Sequence, residues 1–322
     1  MYNIIQKKKI WLSISGVLVA ISLILFFTWG LKPGIDFTGG SLLEVSYPNE
    51  VPTLDEVQGI LAGVDVHSLV IQPAGDSGFI LRFQEIEEDV HQQVMEKLNS
   101  LIPTTEQEMN PADLGLSIEG DAKITATVAL GEVEELRFEA IGSSIGSELR
   151  NKTGWAIGIV LLAIIIYVAW AFRRVSKPVA SWKYGVIAII ALLHDVILTV
   201  GVFVVLGKFL GVEVNTTFVA ALLTVLGYSV NDTIVVFDRV RENLPKSDLD
   251  FEGTVNTSVN QTITRSINTA LTTILALLAI VFFGGESIKY FALSLVCGIF
   301  FGTYSSIFIA SPLLVWWEKL KK

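Results

Sequence analysis

The sequence offers little of the chemistry that most enzymes and metal proteins use. It has one cysteine, Cys297, which lies in an apolar stretch, so no disulfide bond can form within the chain. Three histidines are present, and His67 and His91 stand apart from other ligand-type residues, so we interpret both as surface or structural side chains. Residues 32–150 contain no nucleotide-binding loop, zinc-ligand spacing or nucleophile elbow. We therefore expect neither an enzyme nor a protein with a metal or another bound cofactor.

Charge is also scarce. Charged residues make up 17% of the chain and hydrophobic residues 52%, with a mean hydropathy of +0.59, which is too apolar for a soluble protein of 322 residues. Runs of about 20 apolar residues can cross a bilayer as helices. The sequence predicts an α-helical membrane protein with six transmembrane helices, at about 10–30, 154–172, 184–207, 216–238, 262–283 and 289–316.

The charges that remain are unevenly distributed. Residues 32–150 carry a net charge of −16, whereas the rest of the chain carries +7. We therefore predict a separate acidic domain at 32–150, between an N-terminal segment with the first helix, 1–31, and a five-helix membrane domain, 151–322. Most lysines and arginines of the short loops fall on the side of both termini, and only Lys208 and Lys289 fall on the other side. The positive-inside rule therefore places both termini in the cytoplasm. The acidic domain is then extracytoplasmic, and the first span, which lacks a small-x-small cleavage pattern, is expected to stay as an anchor.

The acidic domain has the pattern of a small α+β sandwich. A capping box at Thr53 and Glu56 predicts the start of one helix, and "EIEEDVHQQVMEKLNSLI" predicts a second. Two strands flank a Gly-Asp-Ser-Gly turn, and further strands are predicted in "GSLLEVSYP", "GLSIEG", "KITATVAL" and "LRFEAIG". The order is that of a split β-α-β unit, so we expect a ferredoxin-like domain between the first and second transmembrane helices.

The stretch "GIDFTGG" follows the first span directly. It combines Asp36 with Gly34, Gly39 and Gly40. Glycine accepts backbone conformations that other residues avoid, so the spacing indicates a tight turn where the chain leaves the bilayer.

Ionisable residues interrupt three of the predicted spans. His194 and Asp195 lie near the middle of the third, Asp232 lies inside the fourth, and Arg265 lies in the opening turns of the fifth. Each would cost several kcal/mol if it faced lipid. Asp232 comes six residues before Asp238 at the predicted inner boundary, which places it about 9 Å inside the membrane. Arg265 lies at a similar depth, so we predict that the two can pair.

Polar neighbours accompany these charges on the same helix faces. Tyr228 and Ser229 precede Asp232 by one turn, and the fifth span has polar residues at spacings of three, four and three. We expect both faces to point into the bundle, where Asp232 exchanges protons as the helices move. Two alternatives stay open: a static ion pair that only fixes the packing of the helices, or an Arg265 side chain that extends to the membrane interface. The stripe on the fifth span consists of Thr262, Arg265, Thr269 and Thr272.

Several stretches together resemble a known family. "GIDFTGG", "LLHDVILTVG", "LLTVLGYSVNDTIVVFDRVREN" and "VNTSVNQTITRSINTALTTILALLAIVFFGGESIKYFALSLVCGIFFGTYSSIFIASPLL" are similar to successive signatures of the SecF family of protein-export membrane proteins, which is related to RND transporters. The resemblance covers nearly the whole chain and is most specific around Asp232. "IGSSIGSEL" departs from the family's "VGP" motif because it lacks the proline.

This resemblance implies a function and a set of partners. It implies an auxiliary subunit that joins SecD to form a twelve-span unit in the membrane lipids, beside the Sec translocon channel subunits and YajC. The clients would be unfolded exported polypeptides, and nucleic acid would not be a partner. Protons would be the coupling ion. Asp232 would be the proton-carrying acid, Arg265 its charge partner and Thr269 a nearby hydroxyl, with Asp195 as a further candidate. Asp36 and its glycines would form the family motif at the entrance of the outer domain.

Three other functions fit parts of the pattern. A related RND-type exporter of small molecules or lipids is one, although about 120 residues outside the membrane are few for an efflux pump. An intramembrane aspartyl protease could use Asp195 and Asp232 as a pair, but a nearby Arg265 would keep Asp232 ionised and no Gly-x-Gly-Asp stretch occurs. A passive scaffold for the translocon would not need the Asp232 carboxylate.

Overall fold

The chain forms two compact units. The structure, a computed structural model, describes residues 2–75, 77–109, 124–171 and 180–319. One unit, the helical unit, consists of Met1–Gly34 and Leu149–Lys322, and the other, the sheet unit, of Ile35–Glu148.

Long helices dominate the chain. Six helical stretches within the described residues are long and apolar enough to cross a membrane, judged by length and composition. In the last of them, a π-helical turn at Ser306–Ala310 separates two α-helices. The α-helices are α1 (Lys8–Trp29), α2 (Ile35–Thr38), α3 (Leu54–Leu61), α4 (Glu88–Asn99), α5 (Ser143–Ala171), α6 (Ser181–Leu210), α7 (Thr216–Asn243), α8 (Phe251–Phe283), α9 (Glu286–Ser305) and α10 (Ser311–Lys319), and a 3₁₀ turn, Ile5–Lys7, precedes α1.

The helices differ from the predicted spans mainly at their ends. α8 begins well before residue 262 because Asp250 caps it, its side chain accepting a hydrogen bond from the Gly253 N–H at 2.9 Å. The polar segment before the predicted fifth span is therefore the first part of the same helix. α5 likewise begins at Ser143, ahead of the predicted residue 154. The π-helical turn in the sixth span was not predicted, since an apolar run carries no signal for it.

Burial within the helical unit is unequal. In the most apolar stretch of each span, the share of buried residues is 61% for Ile288–Lys319 but only 6% for Ile5–Trp29 and 11% for Phe251–Phe283. The largest apolar cluster is built mainly on α6, α7, the π-helical turn and α10, and in it Tyr184 of α6 and Phe237 of α7 pack edge to face. The outer helices thus leave most of their surface to lipid or to another chain.

The sheet unit contains an antiparallel sheet with the order β2-β3-β1-β6. Along the chain its elements follow as β1, α3, β2, β3, α4 and β6, with a separate antiparallel pair, β4 and β5, inserted before β6. The predicted strand "GLSIEG", at 115–120, lies outside the described residues. The strands are β1 (Gly40–Ser46), β2 (Val70–Ala74), β3 (Gly78–Phe83), β4 (Thr104–Met109), β5 (Ile124–Ala129) and β6 (Glu134–Ile141).

Helices α3 and α4 pack against this sheet. Their buried residues, such as Val57 and Leu98, join Leu43 and Leu81 of the strands in one apolar cluster. The predicted capping box is present: the Thr53 N–H donates to the Glu56 carboxylate at 2.7 Å, and the Glu56 N–H donates to the Thr53 hydroxyl. The alternating and capped patterns therefore predicted these elements correctly.

The two histidines of the sheet unit have different surroundings. His67 is exposed, whereas His91 is buried, stacks on Phe138 with ring centroids 3.9 Å apart, and lies within hydrogen-bond distance of Glu88 and Glu135. His91 is thus a structural side chain, as predicted, although it has two acidic neighbours that the sequence did not indicate.

The glycines of "GIDFTGG" allow a close approach at the start of β1. Gly39 and Gly40 have φ angles of +76° and +123°, a region that favours glycine. A Cβ on Gly39 would lie 2.7 Å from the Cα of Ser143, and one on Gly40 would lie 2.9 Å from the Phe83 carbonyl oxygen. The motif therefore does more than turn the chain: it lets the start of α5 pack directly on the chain before β1.

Gly39→Ala should loosen this junction. A non-glycine residue at positive φ costs of order 1–3 kcal/mol, and the contact with Ser143 adds to that cost. We expect faster amide hydrogen exchange in β1 and β6 of the full-length chain in lipid nanodiscs. Gly59→Ala on α3 is the control because a Cβ there meets nothing within 4 Å. Equal exchange in the two variants would contradict the packing role of Gly39.

Candidate functional site

Asp195 is completely enclosed in the helical unit. It lies near the middle of α6 with 0% of its surface exposed. Its Oδ2 accepts hydrogen bonds from the hydroxyls of Ser229 on α7, at 2.5 Å, and Ser305 on α9, at 2.8 Å. Its Oδ1 lies 2.9 Å from Nδ1 of the adjacent His194. Buried carboxylates need such partners, and here they come from three helices.

Asp232 is the second carboxylate of the bundle. It lies on α7, and its Oδ1 accepts a hydrogen bond from the Ser266 hydroxyl on α8 at 2.5 Å. Its Oδ2 accepts from the hydroxyl of Ser306, the first residue of the π-helical turn. Asp232 therefore joins α7 to α8 and to the last span through side-chain hydroxyls.

The predicted pairing of Arg265 with Asp232 needs correction. No direct ion pair joins these two residues in the part of the chain that the structure describes, although the Arg265 charge is near enough to act on Asp232. Ser266, the next residue on α8, occupies the contact position instead. A helix turns by about 100° per residue, so Ser266 is buried at the contact with α7 while Arg265 lies to the side of it and is exposed.

The predicted polar stripe of α8 was also wrong in its orientation. Thr262 is buried as expected, but Arg265, Thr269 and Thr272 are exposed in the isolated chain. The Thr272 hydroxyl donates to backbone carbonyls of its own helix. The helix instead buries a face on which Thr262, Ser266 and Ala270 recur at intervals of four residues. Spacing predicted a stripe, but it did not indicate which side of the helix packs.

The prediction for α7 was right in part. Ser229 is buried on the face that points into the bundle, but its hydroxyl binds Asp195 rather than Asp232. Tyr228 is partly buried on the same helix.

The predicted motif residue Asp36 lies elsewhere in the chain. It belongs to the sheet unit, where it lies in the short helix α2.

The two serines of the last span are functional candidates that the sequence reasoning missed. Ser305 and Ser306 are adjacent, yet each binds a different carboxylate. Each hydroxyl also lies within hydrogen-bond distance of a carbonyl one turn earlier, Ser305 at 3.1 Å from Gly302 and Ser306 at 3.0 Å from Thr303. The available signal was the consecutive polar pair in the otherwise apolar "GTYSSIFIASPLL".

Close helix packing brings these serines to the carboxylates. Gly298 and Gly302 are four residues apart on α9, and small residues at this spacing allow helix backbones to approach closely. A Cβ on Gly302 would lie 2.9 Å from the Ser229 Cβ, and one on Gly298 would lie 2.2 Å from a Val225 methyl carbon. The contact between α7 and α9 therefore leaves no room for a methyl group.

The fold and the site define a polytopic membrane protein whose bundle contains two hydrogen-bonded carboxylates. A family model described as "Protein export membrane protein SecD/SecF, C-terminal" matches residues 122–320, and one described as "SecD/SecF GG Motif" matches residues 24–47. The "GIDFTGG" stretch lies within the second match.

Relatives and solved structures agree with these matches. Protein translocase subunit SecF of Thermobaculum terrenum is 39% identical, with 99% of this chain and 94% of the relative covered; the namesake from Anaerolinea thermophila is 38% identical at the same coverage. The crystal structure of SecDF, a translocon-associated membrane protein from Thermus thermophilus, is 30% identical with a TM-score of 0.76. It matches 99% of this chain, which spans only 39% of the SecDF chain. A SecDF structure in a super-membrane-facing form matches with a TM-score of 0.64.

The chain belongs to the SecD/SecF family. It is a multi-pass protein of the bacterial inner membrane.

Gly298→Ala should separate α7 from α9 and weaken the site. Overpacking of a filled interface typically costs 1–3 kcal/mol, so we expect destabilisation of about 2 kcal/mol. The measurement is thermal unfolding of the full-length chain in nanodiscs, followed by tryptophan fluorescence. Gly227→Ala on α7 is the matched control, since nothing lies within 4 Å of a Cβ there. The packing argument fails if both variants unfold at the same temperature.

Proposed function

We propose that this protein is an auxiliary subunit of the Sec machinery that works with SecD and uses the proton motive force to promote late steps of polypeptide export. Its relatives are named translocase subunits, and the similar SecDF is described as translocon-associated. The observation that carries the coupling to protons is Asp232, a carboxylate within an apolar helix that is held by hydroxyls from two other elements.

Protonation of Asp232 would change how strongly these elements are joined. An ionised carboxylate forms charge-assisted hydrogen bonds with Ser266 and Ser306, and these are roughly twice as strong as neutral ones. A proton on Asp232 weakens both contacts and removes the attraction of Arg265. The last span and α8 are then freer to move relative to α7, which is the change that a proton-driven machine needs.

The available energy is adequate for such a motion. One elementary charge that crosses a potential of 100 mV releases about 2.3 kcal/mol. The energy released by a few protons therefore exceeds the cost of breaking two hydroxyl–carboxylate hydrogen bonds, each of which contributes about 1.5–3 kcal/mol when the acceptor is charged. No nucleotide is required.

The exposed polar face of α8 supports SecD as the partner. Arg265, Asn268, Thr269 and Thr272 are exposed although their helix is apolar enough to span a membrane. An arginine that faces lipid inside the bilayer is costly, so a second chain is expected to cover this face. The chain spans 39% of SecDF, which leaves room for a second set of helices. Thr269 would then contribute its hydroxyl at the interface.

The sheet unit would act outside the cytoplasm. We infer a ferredoxin-like arrangement for the extracytoplasmic domain at 32–150, supported by the order β2-β3-β1-β6 and the chain sequence β-α-β-β-α-β. The lysines and arginines of the short loops support cytoplasmic termini. Unfolded exported polypeptides would contact this domain, with Sec channel subunits and YajC as neighbours in the membrane, and the Asp36 motif would mark its entrance.

Asp232→Asn should slow protein export. The substitution keeps the size of the side chain but removes the group that binds a proton. In a pulse-chase of secreted proteins, cells that depend on the variant should accumulate precursor or release mature protein several-fold more slowly than wild type at equal membrane levels. Asp238→Asn is the control, because Asp238 is an exposed carboxylate on the same helix that pairs with Arg241. Normal export with Asp232→Asn would favour the passive scaffold.

A photocrosslinker at Thr269 should capture SecD in intact membranes. Ile267, two residues earlier, is also exposed but lies on an apolar side of α8 that can face lipid. A crosslinker at Ile267 should give at least about fivefold less SecD adduct, because residues two apart lie on nearly opposite sides of a helix and meet different surroundings. Equal adducts at the two positions, or none at Thr269, would remove the support that α8 gives to this interface.

A further inference from the structure

The two buried carboxylates are connected through consecutive residues. Ser305 donates to Asp195, and Ser306 donates to Asp232. Neighbouring residues in one helix move together, because the backbone between their Cα atoms is planar and stiff. A displacement that lengthens one contact therefore strains the other.

Each carboxylate has its own set of neighbours. Asp195 faces His194 from its own helix, Ser229 from α7 and Ser305 from α9, while Tyr304 of α9 stacks on His194 with ring centroids 6.0 Å apart. From α1, the Ser15 hydroxyl lies 3.1 Å from that of Tyr304. His194 is the titratable group in direct contact with Asp195 among the described residues.

Asp232 has a different charge environment. Ser266 and Arg265 lie on α8, Tyr228 lies one turn earlier on α7, and Ser306 comes from the last span. The charged side chain that acts on Asp232 is thus an arginine, whereas the side chain in contact with Asp195 is a histidine.

His194 lies next to Asp195 and also borders a groove of the helical unit. Its side chain is 5% exposed, and Nε2 has no hydrogen-bond partner within the described residues. The ring lines a groove of about 450 Å³ between α1, α6, α10 and the π-helical turn. Nδ1 of His194 therefore contacts Asp195, and the same residue borders this groove.

We propose that Asp195 is a second proton-binding carboxylate, and that the adjacent hydroxyls of Ser305 and Ser306 couple its protonation to that of Asp232. The inference rests on the proposed function in assuming that Asp232 carries protons. In the uptake step, a proton binds Asp195 Oδ1, the oxygen that lies 2.9 Å from His194 Nδ1, and neutralises the carboxylate. The neutral carboxyl then holds Ser305 and Ser229 less strongly.

The π-helical turn gives this coupling a place to act. Ser306 is its first residue, and its backbone carbonyl accepts a hydrogen bond from the Ser311 hydroxyl at 3.1 Å. Single π-helical turns within α-helices occur often at functional sites because their backbone hydrogen bonds can rearrange locally. A change in the Ser305 contact can therefore move Ser306 without unfolding the span.

Infrared difference spectroscopy can count the protonated carboxyls directly. The full-length chain in lipid nanodiscs is titrated with pH as wild type, Asp195→Asn and Asp232→Asn, and the carboxyl C=O band is followed. Wild type should show two titrating carboxyls in the bundle, and each variant should lose a different one. An Asp195→Asn spectrum identical to that of wild type would overturn the proposal.

The coupling through the two serines is tested by replacing Ser305 and measuring the proton affinity of Asp232, the carboxylate that Ser305 does not contact. Ser305→Ala should change the proton affinity of Asp195 about tenfold, as expected for loss of a hydrogen bond to a charged group. It should also change that of Asp232 by about threefold or more, a fraction of the direct effect. Ser294→Ala is the control, since Ser294 is a buried serine on α9 that donates to the Phe291 carbonyl of its own helix. Ser305→Ala keeps both carboxylates, so this test remains available if Asp195→Asn fails to fold.

The outcomes separate this inference from the proposed function. If Asp232→Asn stops export but Ser305→Ala affects Asp232 no more than Ser294→Ala does, the coupling is wrong and the proposed function stands. If Asp232→Asn exports normally, the proposed function fails, whatever the infrared titration gives.

Discussion

A carboxylate inside an apolar bundle must receive hydrogen bonds from its neighbours, and the helical unit is organised around that requirement. Asp195 is fully buried, and Asp232 is partly buried within a helix long enough to span a membrane. The price of an unpaired carboxylate there is several kcal/mol, so the helices around them must present donors. Serines serve this purpose because a short side chain brings its hydroxyl close to the backbone of its own helix.

Short donors in turn require closely packed helices. The Ser229 and Ser305 hydroxyls reach Asp195 only because α7 and α9 approach closely at Gly298 and Gly302. Glycine spacing, serine placement and carboxylate burial are thus parts of one arrangement. A carboxylate that gains or loses a proton alters the strength of contacts on several helices at once, which converts local chemistry into a change in packing.

The same reasoning supports the proposal that a second chain covers one side of the helical unit. The interior satisfies Asp195 and Asp232, whereas α8 leaves Arg265 and Thr269 exposed. Soluble proteins often expose such groups, but a helix that crosses a bilayer needs another surface to cover them. The match to 39% of a longer SecDF chain is consistent with this need. Within its own boundaries the sheet unit is different, since its apolar cluster is shared between β1, β3 and two packed helices.

The sequence by itself determined the elements. Long apolar runs predicted the six helices, alternation predicted β1, β2 and β3, and a capping box predicted α3. Isolated charges in apolar surroundings singled out Asp195 and Asp232. These features depend on hydrophobicity, local hydrogen bonds and the cost of buried charge, which are properties of short stretches. "GIDFTGG" also predicted its glycine turn, because a positive φ is a local property.

Only the tertiary structure decided which residues meet. Ser266 rather than Arg265 contacts Asp232, Ser229 binds Asp195, and Ser305 and Ser306 divide between the two carboxylates. These contacts depend on the rotation of each helix about its axis, and a rotation of one residue replaces an arginine by a serine at the contact. That rotation is set by packing between helices distant in the sequence, so no local pattern could have given it.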